Sequence, residues 1–243
     1  MKKIILTTVL AGLGPTAALA ADLGARTYTK APAMMAAVSN WTGFYIGGDA
    51  GYAFDGSSSG LTTNIAGLLP LSYEAKLKGG FGGGFVGYNY QIQQFVVGIE
   101  GDWQGASVRG TSAPGFVTNS GGKVFGPSVE TSKVRDFGSL RGRLGVTFDH
   151  LMVFGTAGWA LGNFSTTYSA NGSPFLTSDH RTTDGWSAGA GLEYGFANNF
   201  LARVEYRHTD LGKAAFSSPT INQIEQGNSV KFDDIRLGLA YKF

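Results

Sequence analysis

Val230-Lys231-Phe232-Asp233-Asp234-Ile235-Arg236-Leu237-Gly238-Leu239-Ala240-Tyr241-Lys242-Phe243 is the stretch whose reading decides the fold. Backwards from Phe243, every second residue is apolar: Tyr241, Leu239, Leu237 and Ile235. Between them stand Lys242, Ala240, Gly238, Arg236 and Asp234. Successive side chains of a strand point to opposite faces, so this is a strand with one greasy face and one small or charged face. An ordered strand at a chain end suits a closed barrel, in which the last strand pairs with the first.

The same period of two recurs seven more times upstream, beginning at Trp41. Phe44, Ile46, Gly48, Ala50, Tyr52 and Phe54 share a face against Tyr45, Gly47, Asp49, Gly51 and Ala53. Further strands are read at Leu77 to Gln91, Phe95 to Gln104, Gly138 to Phe148, Met152 to Leu161, Trp186 to Phe196 and Ala202 to Arg207. In the Met152 strand both faces are apolar, so its facing stays open. Short turns alternate with longer segments, read as loops at Asp55 to Lys76, Gly105 to Ser132, Ser165 to Asp184 and Gly212 to Ser229. All the long loops therefore gather at one end. Short turns at one end and long loops at the other mark an all-β, eight-stranded antiparallel up-and-down transmembrane β-barrel.

Composition agrees. Of 243 residues, 38 are glycine, 13% are aromatic, 15% are charged, and cysteine is absent. Without cysteine no disulfide framework is available, so hydrogen bonding and packing must hold the fold. Lys2-Lys3, an apolar run Ile4 to Leu13 and the A-x-A site Ala18-Leu19-Ala20 read as a secretory signal peptide over 1–20, cleaved after Ala20. Residues 21–40, rich in Ala, Pro and Met, read as a periplasmic linker ahead of the barrel domain at 41–243. The chain has 19 basic and 17 acidic residues; removing Lys2 and Lys3 leaves 17 of each. A basic footprint for nucleic acid is therefore absent.

Two barrels fit eight strands: a soluble cup with the apolar face inward, or a membrane barrel with it outward. The apolar face carries Trp103, Trp159, Trp186, Tyr88, Tyr90, Tyr194, Phe196, Tyr206, Tyr241 and Phe243. An eight-stranded interior is only just filled by ordinary side chains, so that many rings belong outside, as girdles facing lipid. The other face carries Asp49, Glu100, Asp102, Glu193, Glu205 and Asp234 against Arg141, Arg143, Arg203, Arg207 and Arg236. A cation on the lipid face at mid-bilayer costs about 2–4 kcal/mol, so these charges face the lumen. Buried charges need partners, which predicts one paired network inside. It reads as a rigid plug or as a gate whose pairs rearrange to open a narrow ion path. Parity also places Phe85, Phe137 and Phe154 inside, where they are expected near a mouth or at a bulge that shifts parity.

Trp41-Thr42-Gly43-Phe44-Tyr45-Ile46-Gly47-Gly48, Gly87-Tyr88-Asn89-Tyr90-Gln91, Gly98-Ile99-Glu100-Gly101-Asp102, Leu140-Arg141-Gly142-Arg143-Leu144-Gly145 and the ending Gly238 to Phe243 resemble the small outer-membrane β-barrel proteins of alphaproteobacteria. These are relatives of the OmpA transmembrane domain, the porin-family or opacity-type surface antigens. The resemblance covers Trp41 to Phe243. It implies a place in the cell outer membrane among lipid and lipopolysaccharide. It also implies recognition by the barrel-assembly machinery, with Phe243 as the assembly signal. No peptidoglycan-binding domain is expected downstream.

Candidate chemistry is sparse. Gly82-Gly83-Gly84 with Gly87 fits G-x-G-x-x-G, but a strand follows rather than the helix a nucleotide site needs. Asn40-Trp41-Thr42 and Asn171-Gly172-Ser173 fit a glycosylation sequon that carries no weight in a bacterial chain. Relatives that look like haem binders make His180 and His208 candidate ligands, weighed against plain solvated histidines. A hydrolase set of His208, Asp210 and a loop serine has no distinguishing signal. The expectation is therefore a non-enzymatic barrel without cofactor or metal, with a structural and surface role. A small-solute pore and a haem-binding receptor are the alternatives.

Overall fold

A computed structural model describes residues 40–59, 74–118, 124–196, 199–214 and 228–243. The signal peptide expected at 1–20 and nearly all of the linker at 21–40 lie outside the described residues. No described helix is long and apolar enough to cross a membrane. Among the described residues nine strands form: β1 (Gly43–Ser59), β2 (Glu74–Ile92), β3 (Phe95–Thr111), β4 (Gly115–Thr118), β5 (Val124–Phe148), β6 (Leu151–Ala170), β7 (Ser173–Phe196), β8 (Phe200–Ala214) and β9 (Asn228–Lys242). Eight of them pair antiparallel around a closed ring. β9 lies against β1, and β3 against β5 closes the circle. β4 is a short addition along β5 at the long-loop end.

The closure has a measurable stagger. Cross-strand partners run Phe44, Tyr88, Ile99, Gly142, Ala157, Ala188, His208, Asp233 and back to β1 at Phe54. One circuit thus advances ten residues along β1, which sets the strand tilt that closes eight strands into a narrow barrel.

Three loop readings are corrected. Ser165 to Asp184 is no loop: β6 and β7 continue as a hairpin closed by Asn171-Gly172. Both turn residues have positive φ, 52° and 79°, which is the backbone that an Asn-Gly hairpin turn supplies. The segment read as an unused sequon is therefore turn chemistry. Gly105 to Ser132 likewise contains the end of β3, all of β4 and the start of β5. Asp55 to Lys76 loses its two ends to strands, since β1 runs to Ser59 and β2 begins at Glu74. Alternation fades there because polar Ser and Thr occupy both faces, although hydrogen bonding continues. β5 and β7 reach 25 and 24 residues, where about ten suffice to cross a bilayer.

The interior is stacked in layers. At the short-turn end Trp41, Tyr45, Phe85, Val96, Met152, Phe154, Leu201 and Ala240 form one apolar cluster. Toward the long-loop end a second cluster gathers Leu77, Phe81, Val134, Phe137, Phe164, Leu211 and Phe232 with smaller residues. The eleven charged residues predicted to face the lumen lie between them, and a twelfth, Glu130, is buried beyond the second cluster, where Ser58 and Ser132 donate to it. Room for rings in so thin a tube comes from facing glycines. A Cβ on Gly47 would run into the Phe85 ring.

Candidate functional site

Each strand delivers its charges to the lumen by parity. Asp49 comes from β1, Glu100 and Asp102 from β3, and Arg141 and Arg143 from β5. Glu193 comes from β7, Arg203, Glu205 and Arg207 from β8, and Asp234 and Arg236 from β9. All eleven are buried, at 8% exposure or less. They form one connected network. Arg141 sits at its centre, with Nη2 at 2.6 Å from Glu100 and 3.2 Å from Asp102, and Nη1 at 2.5 Å from Glu205. Arg203 reaches Glu100 at 2.5 Å, and Arg143 reaches Glu193 at 2.8 Å. Arg207 bridges Asp102 and Glu205, both at 3.1 Å. Arg236 binds Asp234 at 2.8 Å and Asp49 at 3.4 Å.

Neutral side chains complete it. Tyr45 Oη donates to Glu100 at 2.8 Å, and Thr156 Oγ1 donates to Glu205 at 3.1 Å. Ser139 Oγ donates to Asp102. None of these three was singled out from the sequence. Parity with Asp49, Arg141 and Phe154 was the signal that could have found them. The network is held from both sides by rings. Phe85 lies 3.5 Å from the Arg203 guanidinium, Phe154 lies 4.0 Å from that of Arg143, and Phe81 lies 4.8 Å from that of Arg236. Such face contacts suit guanidinium, which is weakly hydrated and planar.

Phe85, Phe137 and Phe154 are thus inside, as parity placed them; Phe137 sits beside a bulge between Val134 and Asp136 that shifts parity, so the inward residues of β5 are even-numbered above it and odd-numbered below it. Phe85 and Phe154 form a floor under the network. Phe137 joins the cluster above it, edge-on to Phe81 and Phe232 at 5.3 and 5.1 Å.

The opposite wall is the reverse of a soluble protein's. Trp103, Trp159, Trp186, Tyr194, Phe196, Tyr206 and Tyr241 all point outward and are 39–52% exposed. The open facing of the Met152 strand is settled: Met152 and Phe154 are buried while Val153 and Trp159 are exposed. Outward rings form two belts. Phe44, Tyr88, Tyr90, Phe95, Tyr194, Phe196, Tyr241 and Phe243 lie at the short-turn end, and Tyr52, Trp103, Trp159, Trp186 and Tyr206 lie higher. The Phe243 amide donates to the Phe44 carbonyl at 2.8 Å, and its ring packs edge-on to Tyr241 at 5.3 Å.

His208 lies on the outer wall, its Nδ1 at 2.7 Å from Asp233 and its ring 5.3 Å from that of Trp186. The backbone of His180 is in β7, and its side chain lies outside the described residues. Among the described residues no group of three or more His, Asp and Glu is set to hold a metal.

The sequence model of the outer membrane protein beta-barrel domain matches residues 9–243, nearly the whole chain. The chain belongs to this outer-membrane β-barrel family. Two relatives fix the setting of this outer-membrane barrel further. It is 36% identical to the 31 kDa outer-membrane immunogenic protein of Brucella melitensis over 255 residues, covering 100% of both chains. It is 31% identical to the 22 kDa outer membrane protein of Rhizobium leguminosarum bv. viciae, over 84% of this chain and 79% of that one. Among solved structures it is similar to OprG of Pseudomonas aeruginosa, with a TM-score of 0.45 and 15% identity over 84% of this chain and 98% of that one. This barrel is thus an outer-membrane protein, and it sits among the lipids of that membrane. With no irregular backbone tolerated in lipid, a closed ring of strands is the form such a chain takes.

Proposed function

We propose that this is a closed, non-enzymatic barrel with a structural and surface-exposed role in the outer membrane, and that its lumen is a plug rather than a path. One observation carries the reading: the buried Arg–carboxylate network lies between two apolar layers that span the lumen. Opening a path requires separating charges whose partners are otherwise buried, and each broken pair costs about 3–5 kcal/mol. The exposed band between the two ring belts is the lipid-facing surface. The long-loop end faces outward from the cell, as in barrels of this class. Phe243, hydrogen-bonded into the seam between β9 and β1, supports a role for the last strand as the signal read by the assembly machinery.

The test is planar-bilayer conductance of refolded protein. Absence of stable single-channel steps is expected, and regular steps favour the small-solute pore instead. Haem binding through His180 and His208 is checked by titrating wild type against the H180A/H208A variant. Equal binding in both removes those ligands.

A further inference from the structure

The short-turn end of the lumen is closed by a ring that no strand of the barrel supplies. The apolar cluster at that end draws members from β1, β2, β3, β6, β8 and β9. Its largest member is Trp41, which precedes β1 and yet is buried at 1% exposure. The other rings of the cluster, Tyr45, Phe85 and Phe154, sit on strands and are fixed by the ladder.

Trp41 is held in a different way. The β1–β2 ladder begins at Gly43, so Trp41 and Thr42 lie outside it. One residue, Gln91, takes its place. The Gln91 Oε1 accepts from the Trp41 amide at 2.8 Å, and the Gln91 amide donates to Thr42 Oγ1 at 2.9 Å. Its Nε2 donates to the Gln93 carbonyl at 2.7 Å and to Thr147 Oγ1 at 3.4 Å, which ties Trp41 to the β2–β3 turn and the foot of β5. The chain bends at Gly43, whose φ of 142° belongs to the region that favours glycine. A Cβ there would also run into the Phe243 carbonyl.

Polar groups at this end are left without partners. Asn89 follows Gln91 two residues further in on β2 and is fully buried. Neither its side-chain oxygen nor its nitrogen has a hydrogen-bond partner among the described residues. Glu193 Oε1 and Trp41 Nε1 have none either. Glu193 binds Arg143 through its other oxygen at 2.8 Å, so it marks the lower edge of the arginine network. Buried polar groups without partners cost free energy that contact with water recovers, whereas the indole gains by staying buried. Those opposed effects suit a ring that leaves and returns.

We propose that Trp41 is a stopper, hinged at Gly43 and latched by Gln91, which closes a dead-end polar vestibule at the short-turn end. When the latch lets go, the ring swings out without breaking a strand pairing, and small polar solutes reach Asn89 and Glu193 from the periplasm. The arginine network stays shut above them, so the vestibule opens without a path across the membrane. The stopper goes beyond the plug reading; only its dead end and its periplasmic facing rest on that reading.

The chain has no cysteine, so one introduced thiol is read alone. N89C loses no hydrogen bond, because the asparagine makes none. The refolded mature chain in neutral-detergent micelles is treated with a small cationic methanethiosulfonate reagent, and the labelling rate is measured. N89C should react slowly, and N89C/W41A at least tenfold faster. N89C/Q91A should be at least threefold faster than N89C, while N89C/W41F, which keeps a ring, stays slow. S187C, above the arginines, should stay slow with and without W41A. Labelling of N89C as fast as H150C in the exposed β5–β6 turn, with Trp41 in place, would overturn the stopper. So would an unchanged N89C rate in folded W41A, or in Q91A if W41A does not fold. Faster labelling of both N89C and S187C in a W41A barrel that keeps its heat-modifiable migration would support the stopper and refute the plug.

Discussion

The inner and outer walls of this barrel are built from the same strands and obey opposite rules. On β9, Asp234 and Arg236 are buried at 0% and 1% exposure, while Ile235 and Leu237, their immediate neighbours, are 49% and 67% exposed. In a water-soluble domain burial and apolarity go together. Here exposure and apolarity go together on the outer wall, and charge is the buried property. The comparison teaches that the strand period sorts side chains between two environments, and that the surroundings alone decide which face is which. An inner charge is stable because it has partners, and an outer apolar residue is stable because lipid surrounds it.

Removing one partner from the inside should cost most. Arg141→Ala leaves Glu100, Asp102 and Glu205 without the cation they share, and a loss of about 3–5 kcal/mol is expected. Urea unfolding in lipid vesicles and heat-modifiable gel migration read it. An unchanged midpoint would mean that the network is not what holds the lumen. Moving a charge to the other wall is the converse. Leu237→Arg at mid-band should cost about 2–4 kcal/mol, while Leu237→Ala should stay nearer the roughly 0.5 kcal/mol of a surface change. If the two substitutions cost the same in vesicles, lipid does not cover that wall. The smallest effect tests where the wall ends. Gly172→Ala places a Cβ on a residue with φ of 79°, at a cost of about 1 kcal/mol. The loss should appear as faster amide exchange in the tip of the β6–β7 hairpin, with the lumen network unchanged. Uniformly faster exchange throughout the barrel would show that the hairpin and the wall are one cooperative unit.

Much of the wall was legible because alternation is strict wherever one face is apolar. Trp186 to Phe196 and Ile235 to Phe243 needed nothing beyond parity. The hairpin above Ser165 was missed for a physical reason. Beyond the apolar band neither face needs to be greasy, so Thr166, Thr167 and Ser169 carry no period although the backbone pairing persists. The Asn171-Gly172 turn was the available signal. Tyr45, Ser139 and Thr156 were passed over because charge, not hydrogen-bonding capacity, was used to choose lumen residues.

The sequence by itself determined the eight wall strands within the apolar band, their two faces there, and the inward facing of eleven charges, while Glu130, also buried, lies in a stretch read as loop. These follow from local geometry, since a strand's side chains alternate whatever lies beside it. Only the tertiary structure decided who pairs with whom. Closure with a ten-residue stagger brings Arg141 of β5 to Glu205 of β8, and Arg207 of β8 to Asp102 of β3, across the bore. It also sets Phe85, Phe154 and Phe81 against guanidinium faces. Those partnerships depend on strand order and shear, which no single strand encodes.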